Sequence, residues 1–328
     1  MTRTVLRLFP LPVVAATLLV ACGSEPPPLP AVDVAIHRDS IEQWHAFRKN
    51  AVYGPSGWAT LLGLWWMKPG ETSIGSDLKN TIALPRDRSP KYLGSIWING
   101  DSARLVVGKG VQVTVDTMQT LVTDVSLHSD LEPKATIVRA GPLTLHYIVR
   151  EDRGTLIYGI RIKDTLSAAR TTSPALRYFP TDISLRVQAE FIKSPKPDSL
   201  NIISVLGMET RMEHPGDVRF TLEGKPYSLM VIREPEDHGQ NLFVMFTDST
   251  NRKETYPATR YVWVTPADSL GRTIIDFNKA FNPPCAFTNF ATCPFPPKGN
   301  HLPLRVEGGE WNPHYGEPHD STGKATKK

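Results

Sequence analysis

The sequence from residue 92 to residue 107 reads YLGSIWINGDSARLVV. Two runs rich in aliphatic, aromatic and β-branched residues, Tyr92 to Ile98 and Ala103 to Val107, flank the dipeptide Asn99-Gly100. An Asn-Gly pair readily adopts the left-handed backbone angles of a tight hairpin turn. The stretch therefore predicts two antiparallel strands joined by a short turn.

The same pattern continues on both sides of this hairpin, as short strand-like runs divided by Gly, Pro, Asp and Asn. Further predicted strands are Trp58 to Met67, Val111 to Val115, Thr136 to Val138, Leu143 to Val149, Leu156 to Ile162, Ser184 to Phe191, Val218 to Leu222, Tyr227 to Ile232, Leu242 to Phe246, Tyr261 to Val264 and Thr273 to Phe277. Because Trp58 to Met67 is nearly all apolar, we expect it to be buried on both faces. Many strands with short connections predict a mainly β fold with antiparallel β-sandwich or barrel-like architecture.

One helix is predicted ahead of the strands, because apolar residues recur there at helical spacing. These residues are Ile41, Trp44, Phe47 and Ala51, flanked by the charged residues Arg38, Asp39, Glu42 and Arg48. The turn that begins at Tyr53 and contains Gly54 and Pro55 is expected to end the helix.

The body of the chain extends from Ala35 to Glu310, which is ample length for one large β-rich domain or two smaller subdomains. Between Asp164 and Phe179 the composition turns to Thr, Ser, Ala and Pro, and a soft subdomain boundary is expected there. Residues 311–328 are assigned to a C-terminal tail, with disorder expected beyond about residue 316.

The first residues resemble the signal of bacterial lipoproteins. Arg3 and Arg7 are followed by an apolar stretch from Leu8 to Ala21, and then by Cys22. Roughly 14 apolar-biased residues are too few for a membrane-spanning helix. The resemblance implies a signal peptide over residues 1–21, lipid attachment to the Cys22 sulfur, and a lipidated Pro-rich tether over residues 22–34. An ordinary secretory peptide is the alternative.

The implied location is the bacterial cell envelope, with the protein anchored through Cys22. Asp, the usual inner-membrane retention signal, does not follow Cys22, so an outer-membrane anchor facing the periplasm is expected. The chain has 37 Lys and Arg residues against 33 Asp and Glu residues; loss of residues 1–21 removes Arg3 and Arg7 and leaves a formal charge of +2. Since the basic residues are scattered among acids, no nucleic-acid partner is expected.

The C-terminal part of the body has the most unusual composition. Residues 276–287 read DFNKAFNPPCAF, residues 293–303 read CPFPPKGNHLP, and residues 307–310 read EGGE. These stretches resemble the C-terminal signature of domain-of-unknown-function family 1684, although Phe281 and Phe287 stand where Tyr is common. Gly57-Trp58, Leu61 to Trp65, Pro69-Gly70-Glu71 and Ile74 to Asp77 resemble that family's N-terminal run, where Thr81 replaces a common Asp. The resemblance covers about residues 37 to 310 and implies a β-rich fold with no assigned activity.

A second, partial resemblance lies in residues 70–85, which read GETSIGSDLKNTIALP. They are similar to the strand-and-loop entry of forkhead-associated domains, which bind phosphothreonine. Those domains place an arginine after the glycine, where this chain has Ser76, and a histidine where this chain has Tyr92. The resemblance implies a related β fold in the N-terminal half, but the missing arginine removes the bidentate phosphate contact.

The stretch from Asp276 to Glu310, hereafter the C-terminal segment, supplies the candidate ligand-binding residues. Short polar side chains lie beside aromatic residues in a proline-stiffened loop, a suitable setting for a binding site. The candidates are Asp276, Asn278, Asn282, Asn300 and Glu310. The alternative is that these side chains cap backbone groups of a loop too irregular to satisfy its own hydrogen bonds.

The favoured function is an envelope module that binds a ligand or a partner protein, since no complete catalytic motif is present. The alternative is a hydrolase of unrecognised type. In that case Asp276 or Glu307 would be the general acid or base, or Cys285 the nucleophile. Whether the protein is an enzyme stays open, and no cofactor or metal is predicted.

Cys285 and Cys293 are expected to form a disulfide in an oxidising envelope, with a stabilisation of about 2 to 3 kcal/mol. A metal site that adds His301, a reactive Cys285 with His301 as its base, and structural free thiols are the alternatives. His45, on the predicted helix, is interpreted as a surface or packing residue rather than a ligand.

Overall fold

The computed structural model describes residues 29–100, 102–116, 120–234 and 242–315. The predicted signal peptide over residues 1–21, the lipidation site Cys22 and the tail beyond residue 315 lie outside the described residues. The described chain forms one long helix and three sheets whose strands pair almost entirely antiparallel, which confirms the predicted mainly β fold. Among the described residues, the structure contains no helix that could span a membrane.

The first ten strands form a β-sandwich, hereafter the sandwich. They are β1 (Leu61–Met67), β2 (Gly70–Gly75), β3 (Ile82–Ala83), β4 (Gly94–Asn99), β5 (Ser102–Val107), β6 (Thr114–Val115), β7 (Asp124–Leu127), β8 (Ile137–Ala140), β9 (Leu143–Asp152) and β10 (Thr155–Asp164). One sheet has the order β1-β10-β9-β8-β6 and the other β3-β2-β4-β5-β7. Both sheets contribute side chains to one apolar core, among them Ile74, Ile96, Leu145 and Ile160.

The predicted hairpin is present as β4 and β5. Asn99 pairs with Ser102, and Gly100 has a φ of 56°, in the left-handed region that the turn requires.

The later strands form a six-stranded barrel, hereafter the barrel. They are β11 (Arg186–Ile203), β12 (Glu209–Leu222), β13 (Lys225–Arg233), β14 (Leu242–Asp248), β15 (Arg260–Val264) and β16 (Arg272–Asp276), with the short β17 (His301–Leu302) added beside β14. Pairing of Ile232 in β13 with Phe243 in β14 closes the sheet on itself. The core includes Val218, Leu229 and Val244, all fully buried.

β11 and β12 extend far beyond the predicted runs. Residues 198–203 pair with residues 209–214 after a register shift that begins at Lys193. The polar sequence around Pro195 is typical of a loop, so the alternation that identifies a strand is absent there.

The helix α1 extends from Val34 to Tyr53, and its first turn is capped by Asp33, whose carboxylate accepts hydrogen bonds from the backbone N–H groups of Ala35 and Ile36. A second, four-residue helix, α2 (Ala169–Thr172), follows the sandwich. The predicted apolar face of α1 is partly wrong: Ile41 is buried, but Phe47 is 57% exposed and the charged Arg48 is 5% exposed. Arg48 points inward because its guanidinium pairs with the buried carboxylate of Glu310.

The expectation that Trp58 to Met67 is one strand buried on both faces is also wrong. Trp58–Thr60 forms a 3-10 helix, and β1 begins at Leu61. Trp66 is 40% exposed, because only one face of β1 faces the sandwich core.

Candidate functional site

Asp276 ends β16 and is held by two partners. Its Oδ2 lies 2.9 Å from Nε2 of His37 in the first turns of α1. Its Oδ1 accepts hydrogen bonds from the backbone N and the side-chain Nδ2 of Asn278, at 3.1 and 2.9 Å. Both carboxylate oxygens are therefore engaged, and the side chain is only 10% exposed.

This contact fixes the tautomer of neutral His37. Because the carboxylate only accepts, Nε2 must carry the proton, and Nδ1 keeps its lone pair. The His37–Asp276 contact is the only hydrogen bond of the His37 ring within the described residues. Asp276 thus orients the His37 imidazole, and the Nδ1 lone pair is not used in a hydrogen bond to the described residues. No motif links His37 to Asp276, which lies 239 positions away in the sequence.

His37 lines the barrel-end cavity, an open space of about 960 Å³ beside the turn between β12 and β13. The rest of its wall comes from α1, the loop before β11 and the C-terminal segment: Val34, Arg38, residues 180–185, residues 221–223, Arg305 and Glu307. The Glu307 side chain is 56% exposed, and its Oε1 lies 2.7 Å from Nε of Arg305. Of the predicted catalytic residues, Glu307 lines this cavity, and Asp276 lies behind His37.

Glu310 is completely buried and paired with Arg48. Its Oε1 lies 2.6 Å from Nε of Arg48, and its Oε2 accepts a hydrogen bond from the backbone N of Asn282 at 2.9 Å. The Arg48 guanidinium also lies 4.4 Å from the centre of the Phe281 ring. This arrangement holds α1 to the C-terminal segment and leaves the Glu310 carboxylate no face open to a ligand.

The three predicted asparagines bond to the backbone. Asn278 accepts from the N–H of Asp182 and donates to its carbonyl, and Asn300 does the same with Met230. Asn282 donates to the carbonyl of Trp311 at 2.7 Å. The structure thus places these side chains in the backbone-capping role that was the alternative to ligand binding.

Cys285 and Cys293 form a disulfide, so both sulfurs are occupied within the segment. His301, the partner in the metal and reactive-thiol alternatives, instead hydrogen-bonds through Nδ1 to Thr247 Oγ1 at 2.9 Å. Within the described ranges, no group of three or more His, Cys, Asp or Glu side chains is placed to hold a metal ion.

His45 packs against Tyr178, with ring centres 3.5 Å apart. Burial lowers the pKa of His45, although the charges of Glu310 and Glu42 act in the opposite direction. Burial also raises the pKa of the Tyr178 phenol.

A second cavity of about 500 Å³, hereafter the inter-unit cavity, lies between the sandwich and the barrel. Apolar side chains from both units line it, including Trp58, Leu156, Ile202, Met208, Met212, Tyr261 and Pro294. Charged side chains line it as well: Asp130, Arg150, Glu151 and Arg161 on the sandwich side, and Arg211 and Glu234 on the barrel side. Arg150 and Asp130 form an ion pair at 2.8 Å. No sequence motif identified this cavity, because its walls lie on strands far apart in the chain.

Basic side chains cluster on the outer face of the sandwich beside this cavity. Arg161 and Lys163 both lie over the Trp58 ring, 5.4 and 5.6 Å from its centre. Burial, together with the charge of Arg161, lowers the pKa of Lys163 to about 8. Burial and the charges of Lys163, Arg161 and Arg139 lower the pKa of His146 to about 3. A group of strongly shifted pKa values beside a cavity is a recognised mark of functional sites.

Comparison with known proteins identifies similarity at the level of family. Residues 172–311 match a family described as "Protein of unknown function (DUF1684)". No curated protein is significantly similar to the chain. An uncharacterized protein of Haloarcula marismortui, solved by NMR, is 32% identical over 42% of this chain and 75% of its own, with a TM-score of 0.36.

A crystal structure of the FhaA FHA domain with the intracellular domain of Rv3910 matches at 16% identity over 30% of this chain and 86% of that one, with a TM-score of 0.21. The family match includes the Asp276 to Glu310 stretch that carries the predicted signature. Over residues 172–311, the chain is similar to the DUF1684 family, a protein family of unknown function.

Proposed function

We propose that this protein binds a small ligand with a largely apolar body in the inter-unit cavity. The observation that carries the proposal is the cavity itself: about 500 Å³ of space between two β units, lined mainly by apolar and aromatic side chains. Small-molecule sites are typically clefts of roughly 300 to 1,000 Å³ with such a lining, and they often lie between structural units.

The lining favours an apolar ligand of adaptable shape. Met208 and Met212 supply flexible thioether side chains, and Trp58 and Tyr261 supply aromatic surfaces. The Tyr261 hydroxyl is already used, because it donates to the carbonyl of Pro294 at 2.9 Å. Polar and charged side chains, among them Thr210, Arg211 and Glu234, also line the barrel side.

The test uses octan-1-ol as an uncharged probe and isothermal titration calorimetry. Saturable binding with a negative heat-capacity change is expected, because apolar surface is removed from water. Met212→Trp should abolish octan-1-ol binding by filling the cavity. Met230→Trp enlarges another half-buried methionine, outside the cavity lining, and should leave it intact. If the unmodified protein takes up no probe, or the Met212 variant binds it equally, the proposal is wrong.

We propose, in addition, that the protein acts in the bacterial envelope, anchored through a lipid on Cys22. The support is the sequence alone: a basic start, an apolar stretch ending at Ala21, and the cysteine. The mature chain from expressing cells should begin at Cys22 and carry acyl chains by mass spectrometry. Cys22→Ser should yield an unacylated chain; a wild-type chain without acyl mass would contradict the anchor.

One observation favours a hydrolase as a second candidate function. His37, oriented by Asp276, keeps a basic nitrogen and lines the barrel-end cavity, which suits a general base that activates water. In this version Asp276 positions the base, and Cys285, held in the disulfide, is not the nucleophile.

Chromogenic carboxylic esters of different chain lengths test this second candidate. His37→Gln should abolish turnover. Asp276→Asn should lower kcat and shift its pH profile, because it disturbs the tautomer of His37. Turnover that both variants retain would exclude this site.

A further inference from the structure

The segment that enters α1 is apolar and exposed. Residues 29–36 read LPAVDVAI, and the one charged residue among them, Asp33, is used as the helix cap. Val34 and Ile36, in the first turn of α1, are 55% and 63% exposed, and Ala35 between them is exposed as well. Since consecutive helical residues point in different directions, these three side chains cover the end of the helix rather than one of its faces.

A further large aliphatic side chain lies at the same end of the barrel. Ile183, in the loop before β11, is 39% exposed and lines the barrel-end cavity together with Val34. Val34, Ile36 and Ile183 are hereafter called the apolar end. Exposed apolar side chains that cluster in this way, rather than occurring singly, mark surfaces that contact another protein or a membrane.

The apolar end lies close to the point where the chain ahead of α1 is held to the barrel. Leu29 is bonded through its backbone N–H and carbonyl to the side chain of Gln188 in β11. His37 of α1 contacts Asp276, which pairs with Arg186 in the same strand. Arg186 and Gln188 are two residues apart, or about 7 Å along β11, so Leu29 and the first turns of α1 are neighbours.

The length of chain between the proposed lipid and the barrel decides which side of the molecule faces the membrane. The lipid would be attached to Cys22, seven residues before Leu29. Even a fully extended chain spans at most about 25 Å over that distance. A folded unit of this size is roughly 50 Å across, from the usual scaling of the radius of gyration. An anchored molecule therefore turns the side that carries Leu29 toward the bilayer.

The charges around this end do not select an anionic surface. Those that line the barrel-end cavity have both signs: Arg38 and Arg305, and Asp182, Glu223 and Glu307. Arg305 is paired with Glu307 and Glu254. Apolar contact is therefore the expected source of binding, and a zwitterionic phospholipid surface is sufficient for it.

We propose that Val34, Ile36 and Ile183 insert into the interface of the phospholipid bilayer that holds the lipid anchor. The barrel-end cavity, which Val34 and Ile183 line, then lies next to the membrane surface. This inference rests on the proposed lipid anchor, since the short tether is what brings this end to the bilayer. The contact adds apolar burial to that of the acyl chains, and it fixes the orientation of the molecule, which attachment at one point leaves free.

Site-directed spin labelling of the full lipidated chain in phosphatidylcholine vesicles tests the inference. Ile36→Cys and Ile183→Cys place labels at the apolar end, and Leu78→Cys, at a 77% exposed aliphatic residue of the sandwich, is the matched control. Collision rates with oxygen and with a water-soluble nickel chelate give the depth of each label. The labels at the apolar end are expected about 5 to 10 Å into the head-group region, and the control label in water.

A second variant tests whether the apolar contact itself holds the label there. Ile36→Asp, added to the Ile183→Cys chain, places a charge at the apolar end and should return the label at position 183 to water, because a carboxylate disfavours the interface. Leu78→Asp in the same labelled chain is the matched control and should leave the depth of the label unchanged.

Flotation of the chain with the vesicles measures the anchor separately. A chain that floats while all three labels collide with the chelate equally would overturn the membrane contact and retain the anchor. Labels at the apolar end that are shielded from both reagents would show that the chain ahead of Leu29 covers them, and spin–spin broadening would show a second copy there; either result overturns the inference. A wild-type chain that carries no acyl mass and stays in solution would overturn both proposals.

Discussion

Arg48 and Glu310 form a buried ion pair, 2.6 Å from Nε to Oε1, across 262 residues of sequence. The ion pair joins α1 to the end of the C-terminal segment. Glu310 Oε2 also accepts a hydrogen bond from the backbone N–H of Asn282. Since both side chains are almost completely removed from water, each depends on the other for compensation of its charge.

Removing one member of this pair should strongly destabilise the protein. Glu310→Gln leaves the Arg48 charge buried without a counter-ion and is expected to cost about 3 to 5 kcal/mol in urea denaturation. Arg38→Ala, on an exposed position of the same helix, is the control and should change the free energy of unfolding by less than about 0.5 kcal/mol. A Glu310→Gln cost as small as that of the control would show that the pair contributes little.

Gly309 should tolerate alanine less well than Gly154 does. Both have a left-handed backbone, with φ of 77° and 79°, but a Cβ at Gly309 would lie 2.1 Å from the Ala280 carbonyl oxygen, whereas Gly154 has open space. Gly154→Ala is expected to cost about 1 kcal/mol from backbone strain alone. Thermal or urea denaturation should show a clearly larger loss for Gly309→Ala, and equal losses would contradict the close approach.

The disulfide should stabilise the C-terminal segment modestly. Cys285→Ser with Cys293→Ser is expected to lower the free energy of unfolding by about 2 to 3 kcal/mol, the value for a short closed loop. Because Cys293 and Pro294 line the inter-unit cavity, octan-1-ol binding should weaken as well. The free energy of unfolding of the unmodified protein and of the double variant is compared with and without reductant. The double variant is the internal control, because it has no disulfide and should be insensitive to reductant.

Gln188 should anchor the chain ahead of α1. Its side-chain amide accepts from the backbone N of Leu29 and donates to the carbonyl of Leu29, both at 2.9 Å. Gln188→Ala should raise the hydrogen-exchange rate of the Leu29 amide with little change in global stability, since both residues lie near the surface. Gln188→Glu keeps the acceptor and loses the donor, so intermediate protection is expected; unchanged exchange in both variants would refute the anchor.

His146 should make the protein acid-sensitive. Its folded-state pKa of about 3 lies below the ordinary 6.5, so between these values the unfolded state binds the proton and the folded state does not. The free energy of unfolding therefore falls as the pH decreases through this window, by about 2 kcal/mol from pH 6.5 to 4.5 for this residue.

Urea denaturation of wild type and His146→Asn at both pH values isolates this contribution from that of the carboxylates. The stability advantage of wild type over the variant should shrink at pH 4.5. His128→Asn, at an exposed histidine of the same unit, is the control. A pH-independent difference between wild type and His146→Asn would contradict the assignment.

The sequence by itself determined the β-rich class, the long helix ahead of the strands, the hairpin at Asn99-Gly100 and the family signature. These features depend on local rules: side-chain alternation, turn residues and helical spacing act within a few positions of one another. The same rules failed at two places. The extensions of β11 and β12 are polar and lack the alternation of a strand, and Arg48 is buried although its charge favours an exposed position.

Only the tertiary structure decided which residues could form a site. The predicted Asn278, Asn282 and Asn300 bond to backbone groups, whereas His37, Trp58, Arg161 and Lys163, none of which was predicted, line the two cavities or their edges. A cavity wall is assembled from strands that the barrel and the sandwich bring together over long separations, and the pKa of a lysine or histidine follows from the neighbours and burial found there. Neither the cavity wall nor the pKa can be derived from any single position of the sequence, because both arise from packing.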